Sequence, residues 1–191
     1  MNSSPKKGGL IVISAPSGGG KTTLANELIS RFPNSKRSIS ATTRPRRNTE
    51  IPGQDYYFVA DSEFDTYVKE NALAEWAQVH GFRYGTLKKT VEQGLANGEV
   101  LFLIIDVQGA QSIKAAFPQA LTIFIAPPDF DSLEARLRKR GTESESDIRR
   151  RLETARNELA RAKEFDFQVL NDRLDRAALE IESIIRKTFS L

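Results

Sequence analysis

Residues 15–22 read Ala-Pro-Ser-Gly-Gly-Gly-Lys-Thr, after the β-branched run Leu10-Ile-Val-Ile-Ser14 and at the start of a helical pattern from Thr22 to about Phe32. This is the phosphate-loop pattern with Ala15 in place of its first glycine. A strand that feeds a Gly-rich turn and then a helix aims successive backbone N–H groups, and the positive end of the helix dipole, at one point. Gly18, Gly19 and Gly20 let the backbone wrap closely around phosphate oxygens. Lys21 is placed to bridge the β- and γ-phosphates of a nucleoside triphosphate, and the Thr22 hydroxyl to ligate Mg²⁺. Pro16, Ser17 and Thr23 complete the expected lining. The Asn-Lys-x-Asp guanine motif of a GTPase is absent. The loop therefore predicts phosphate handling, and the rest of the chain must supply the second substrate.

Further short apolar runs, Val100 to Ile105, Leu121 to Ala126 and Asp166 to Leu170, read as buried strands. Helical stretches lie between and after them: Gln108 to Ala116, Asp129 to Arg140, Ser146 to Glu164 and Leu174 to Phe189. This alternation predicts an α/β fold, a three-layer arrangement with a mostly parallel central sheet covered on both faces. The rhythm breaks between about Ser40 and Val91, where many of the aromatic residues gather around short strand-like pieces such as Leu73 to Val79. That stretch reads as an inserted subdomain. The expected division is 1–39, 93–127 and 165–191 for the core, 40–92 for the insert and 128–164 for a lid region, with the polar stretch Gly141 to Asp147 as a loop.

The 191 residues suffice for a core without staples, and cysteine is absent, which fits a reducing cytoplasm. No run is long enough to cross a membrane and no signal-peptide pattern opens the chain. The net charge of +3 is too small to argue for nucleic acid. Its distribution is more informative: Arg44, Arg46 and Arg47 form one knot, Arg136, Arg138, Lys139 and Arg140 a second, and Arg149 to Arg151 a third. Beside a phosphate loop these favour small polyanionic ligands. His80, next to Gly81 in an expected turn, reads as structural or exposed rather than catalytic.

Several further segments appear in order along nearly the whole chain: Ser40-Ala-Thr-Thr-Arg-Pro-Arg-Arg47, Gly53-Gln-Asp-Tyr-Tyr-Phe58, Glu75-Trp-Ala-Gln78, Tyr84-Gly-Thr86, Ile105-Asp-Val-Gln-Gly109, Ile125-Ala-Pro-Pro128 and Arg140-Gly-Thr142. With them the sequence resembles the guanylate kinase family. The resemblance implies phosphoryl transfer from ATP to GMP on a phosphate-loop fold with an inserted GMP-binding subdomain and a helical lid. It assigns the GMP phosphate to Arg44, Arg47, Tyr56 and Tyr84, and the guanine to Glu75 with Ser40, Thr86 and Asp106 assisting.

Chemistry agrees with that assignment. Guanidinium forks match phosphate oxygens. A carboxylate presents two acceptors to guanine's adjacent N1–H and N2–H₂ donors, which adenine does not offer. Hydroxyls of Ser40 and Thr86 can donate to O6. Asp106 keeps two readings, a bond to the guanine edge or an outer contact to Mg²⁺; many members carry a second acidic residue where this chain has Ile104. Arg136, Arg140 and Arg151 are implied in the lid, and Asn171 near the adenine. The implied partners are GMP and ATP, in a monomer or homodimer. Rival readings are a non-catalytic binding module of the same fold, and a phosphate-loop kinase for another phosphorylated metabolite.

Overall fold

The computed structural model describes residues 8–79, 81–139 and 144–191. His80 and Arg140 lie outside the described residues. The central sheet is built from β1 (Gly9–Ser14), β2 (Ser35–Arg37), β7 (Val100–Ile104), β8 (Leu121–Ala126) and β9 (Phe167–Leu170), in the order β2-β7-β1-β8-β9. Every pairing in it is parallel. Parallel pairing requires crossovers, and α1 (Lys21–Arg31), α3 (Lys88–Ala96) and α4 (Val107–Ala116) lie in three of them, while α7 (Leu174–Phe189) follows the last strand.

Strand alternation sorts β1 between two cores. Ile11 and Ile13 face Leu24, Leu28, Ile181 and Ile185 of α1 and α7, whereas Leu10 and Val12 face Val91 of α3 and Ala110 and Ile113 of α4. Both faces of β1 are buried, so the strand reads as a continuous apolar run. The expected three-layer α/β fold is the observed one.

The insert forms a second sheet of β3 (Ser40–Thr42), β4 (Tyr57–Phe58), β5 (Leu73–Val79) and β6 (Phe82–Leu87), in the order β4-β3-β6-β5, with α2 (Asp61–Lys69) packed on it through Phe64. The β3–β6 and β6–β5 pairs are antiparallel. Their register sets Ser40 opposite Thr86, and Thr86 opposite Glu75, in one row across three strands.

Beyond the sheets lie α5 (Phe130–Lys139) and α6 (Glu145–Ala160), followed by a short 3₁₀ turn at Ala162–Glu164. The structure corrects two expectations here. The helix expected from Ser146 to Glu164 ends at Ala160, and the polar stretch expected to run as a loop to Asp147 is already helical from Glu145. Ser144 explains the earlier start: its hydroxyl accepts from the Asp147 N–H, and Glu145 and Asp147 in the first turn favour the positive helix end. Much of the second and third basic knots is spent on surface pairs, Arg138 with Glu134 and Glu145, and Arg150 with Asp147. Among the described residues no helix is long and apolar enough to cross a membrane.

Candidate active site

The turn after β1 opens onto a cleft of about 280 Å³ at the C-terminal ends of the parallel strands, where open α/β sheets place their ligands. Pro16 to Thr23 line one wall. Gly18 and Gly20 have φ of 84° and 88°, a region that side chains disfavour. The amide of Asn171, buried after β9, donates to the Gly19 carbonyl at 3.0 Å, and a Cβ on Gly20 would lie 2.9 Å from that same nitrogen. Asn171 thus braces the loop. Arg136 in turn donates to the Asn171 carbonyl at 3.3 Å. The Lys21 ammonium folds back onto the Ala15 carbonyl. The Thr22 and Thr23 side chains are exposed at the start of α1.

The opposite wall comes from the second sheet, through Ser40, Tyr56, Glu75, Val79 and Tyr84. Glu75 is 6% exposed, and its Oε1 accepts from the Thr86 hydroxyl at 2.6 Å. Burial pushes its carboxyl up to about 7; the Thr86 bond opposes this, and the Asp106 carboxylate adds to it. Trp76 gives Glu75 no shelter, because alternation turns its ring to the other face, where it is 46% exposed. Helix α4 covers the carboxylate instead, with Gly109 against it. The Thr86 hydroxyl, expected to point to a base, spends its hydrogen on Glu75.

Below Glu75 the tyrosines and Arg44 form a polar corner. Tyr56 and Tyr84 meet edge to face at 5.9 Å, and Arg44 donates to the Tyr84 hydroxyl at 3.2 Å. The Arg44 guanidinium also holds Glu50 at 2.6 Å, and Glu50 accepts the Arg47 N–H at 2.8 Å. Burial alone would raise the Glu50 carboxyl, but these bonds hold it below the usual range. A carboxylate therefore occupies the Arg44 fork, and the Arg47 side chain is exposed.

Asp106 lines the cleft but lies beyond the end of β7, as the N-cap of α4. Its Oδ1 accepts from the N–H groups of Gln108 at 2.7 Å and Gly109 at 3.2 Å. Neither expected role anticipated this structural one. Ile104 and Ile105 line the cleft beside it.

Glu158 and Arg37 belong to the site without any motif to mark them. Glu158 on α6 is 8% exposed, lines the cleft with Arg151 and accepts the Ser17 N–H of the phosphate loop at 3.1 Å. Burial raises its carboxyl, against the pull of Lys21. Its spacing of seven from Arg151, two helical turns on one face, is the signal that could have found it. Arg37 places its guanidinium 5.8 Å from the Tyr56 ring, and nothing in the sequence around it marks that contact.

A family model described as guanylate kinase matches residues 7–188. The guanylate kinase of Syntrophotalea carbinolica is 48% identical over 94% of this chain and 86% of its own. That of Anaeromyxobacter dehalogenans is 51% identical over 93% of this chain and 79% of its own. Among solved structures, a guanylate kinase from Anaplasma phagocytophilum superposes with a TM-score of 0.79 at 31% identity, covering 95% of this chain and 86% of that one.

Proposed function

The chain belongs to the guanylate kinase family, and from that premise we propose that its cleft transfers the terminal phosphoryl group of ATP to GMP, reversibly, giving ADP and GDP. The observation that carries the reading is the buried Glu75 carboxylate, held by Thr86 and facing the phosphate loop across one cleft. A hydrogen-bonding carboxylate in so dry a place accepts guanine's two adjacent donors and rejects adenine, whose N1 lone pair would face it, by ~10⁴-fold or more. Ser40, in the same cross-strand row, and Asp106 complete the guanine end. Arg44, Arg47, Tyr56 and Tyr84 receive the acceptor phosphate, which displaces Glu50 from the Arg44 fork.

ATP binds with its phosphates in the loop Ala15 to Thr22, with Thr23 beside it and Asn171 towards the adenine. Lys21 leaves the Ala15 carbonyl for the phosphate oxygens. The acceptor is already an oxyanion, so the chain needs no general base; its work is alignment, charge neutralisation and exclusion of water. Arg136, Arg140 and Arg151 bring positive charge from the lid region 128–164, while residues 40–92 carry GMP and the remaining segments form the core. Glu158 ties the lid helix to the loop through Ser17.

The donor set suits Mg²⁺. Among the described residues no three carboxylate, histidine or cysteine side chains converge on a metal site, and Mg²⁺ in kinases is held largely by substrate phosphates and water with one or two protein oxygens. The Thr22 hydroxyl, exposed at the start of α1, would supply such an oxygen. When bound, the ion neutralises charge on the β- and γ-phosphates.

A coupled assay of ADP release with GMP, AMP, CMP and UMP tests the reading. Turnover with GMP alone is expected; equal activity with all four, or none with GMP, contradicts it. Asp106→Asn separates cap from charge. Asparagine caps as well as aspartate, so the melting temperature should hold. Loss of the Asp106 charge should move the pH at which GMP affinity breaks to lower values, because that charge raises Glu75. A collapse in stability or an unmoved break counts against it.

A further inference from the structure

Gly109 is the third residue of α4 and is buried. Its φ is not positive, so its backbone conformation does not require glycine. Glycine inside a helix costs about 1 kcal/mol relative to alanine. What glycine provides here is room: a Cβ at this position would lie 2.5 Å from Glu75 Oε2 and 3.1 Å from the Glu75 carboxyl carbon. The same residue's N–H donates to Asp106 Oδ1, so both carboxylates of the guanine end meet at Gly109.

We propose that Gly109 is a specificity-determining residue: its missing side chain sets where Glu75 Oε2 sits, and with it the second acceptor offered to the purine's 2-amino group. The inference rests on Glu75 reading guanine. Oε1 is fixed by Thr86, so a methyl group at 109 is relieved by swinging Oε2 away. The overlapping atom is the end of a side chain, and the cost therefore falls on base recognition rather than on the fold.

The test is Gly109→Ala, assayed with GMP and with IMP, which has the same phosphate and ribose but no 2-amino group. The KM for GMP should rise about 10-fold or more, the KM for ATP should hold, and the preference for GMP over IMP should shrink. The melting temperature should stay within a few degrees of the parent. A GMP KM within twofold of the parent overturns the proposal, as does an equal loss with both nucleotides. Should the single variant fail to fold, Glu75→Asp, one methylene shorter, is added to it. Restored folding then supports the overlap, and continued failure contradicts it. Glu75→Gln is run in parallel. If it leaves GMP kinetics unchanged, the guanine reading itself is lost; if it impairs them while Gly109→Ala does not, only the role of Gly109 is lost.

Discussion

Replacing Glu75 by glutamine should sharply impair the use of GMP, preserve ATP binding and stabilise the protein, assayed without nucleotide, at alkaline pH. The functional loss follows from hydrogen-bond polarity. A glutamine side chain offers one acceptor and one NH₂ group, so one of guanine's two donors meets another donor in a buried site, worth about 10³-fold or more in kcat/KM. The gain in stability follows from linkage. In the fold the Glu75 carboxyl titrates near 7 rather than at its ordinary 4.5, so the folded state holds the proton more tightly than the unfolded one. The stabilisation this gives is full below about 4.5 and is lost as pH rises through about 7. Glutamine never ionises, so at pH 8 the variant should exceed the parent by on the order of 2 kcal/mol.

The same shift makes GMP binding pH-dependent. Guanine's donors favour the ionised carboxylate, so binding below pH 7 must expel a proton, and the KM for GMP should rise as pH falls through that value. The phosphate of GMP titrates near 6, which leaves the window between about 6 and 7 to Glu75. Calorimetric binding across pH 5.5–8.5, with thermal unfolding of both proteins, checks all three expectations. A variant that binds GMP normally, or is less stable at pH 8, contradicts the placement of Glu75.

Lys21→Met should lower turnover by about 10³-fold or more, because the ammonium is the group of the loop that neutralises charge as it spreads over the transferred phosphoryl. The Lys21 ammonium donates to the Ala15 carbonyl and its charge acts on the buried Glu158 carboxyl, so a structural cost of about 1–3 kcal/mol is expected beside the loss of turnover. Steady-state ADP release together with a melting curve separates the two. A variant within tenfold of the parent turnover contradicts the cradle.

Elements whose stability is local were legible in the sequence. The run Leu10 to Ser14, the glycines after it and the helix after those need no tertiary information to be recognised, and the Leu174–Phe189 helix shows its apolar face directly. Strand β2 could not be read: Ser35, Lys36 and Arg37 carry no apolar pattern and are a strand only because β7 pairs with them. Helix α2 buries Phe64 alone, too little periodicity to stand out among the aromatics of the insert. In the site, Glu75 and Thr86 were visible as types of residue, but their contact depends on the β5–β6 register. The capping role of Asp106 depends on β7 ending at Ile104, one residue before the apolar run does. Arg37 and Glu50 reach the site from separate parts of the chain, which spacing alone does not bring together, and Glu158 showed only in its two-turn spacing from Arg151.

The proposed activity depends on a carboxylate that reads guanine opposite a phosphate cradle. A crystal structure of the chain with GMP bound tests this most directly. The Glu75 carboxylate should lie within hydrogen-bond distance of guanine N1 and N2, with the phosphate on Arg44, Arg47, Tyr56 and Tyr84. A base lodged elsewhere, with Glu75 still bonded only to Thr86, would contradict it.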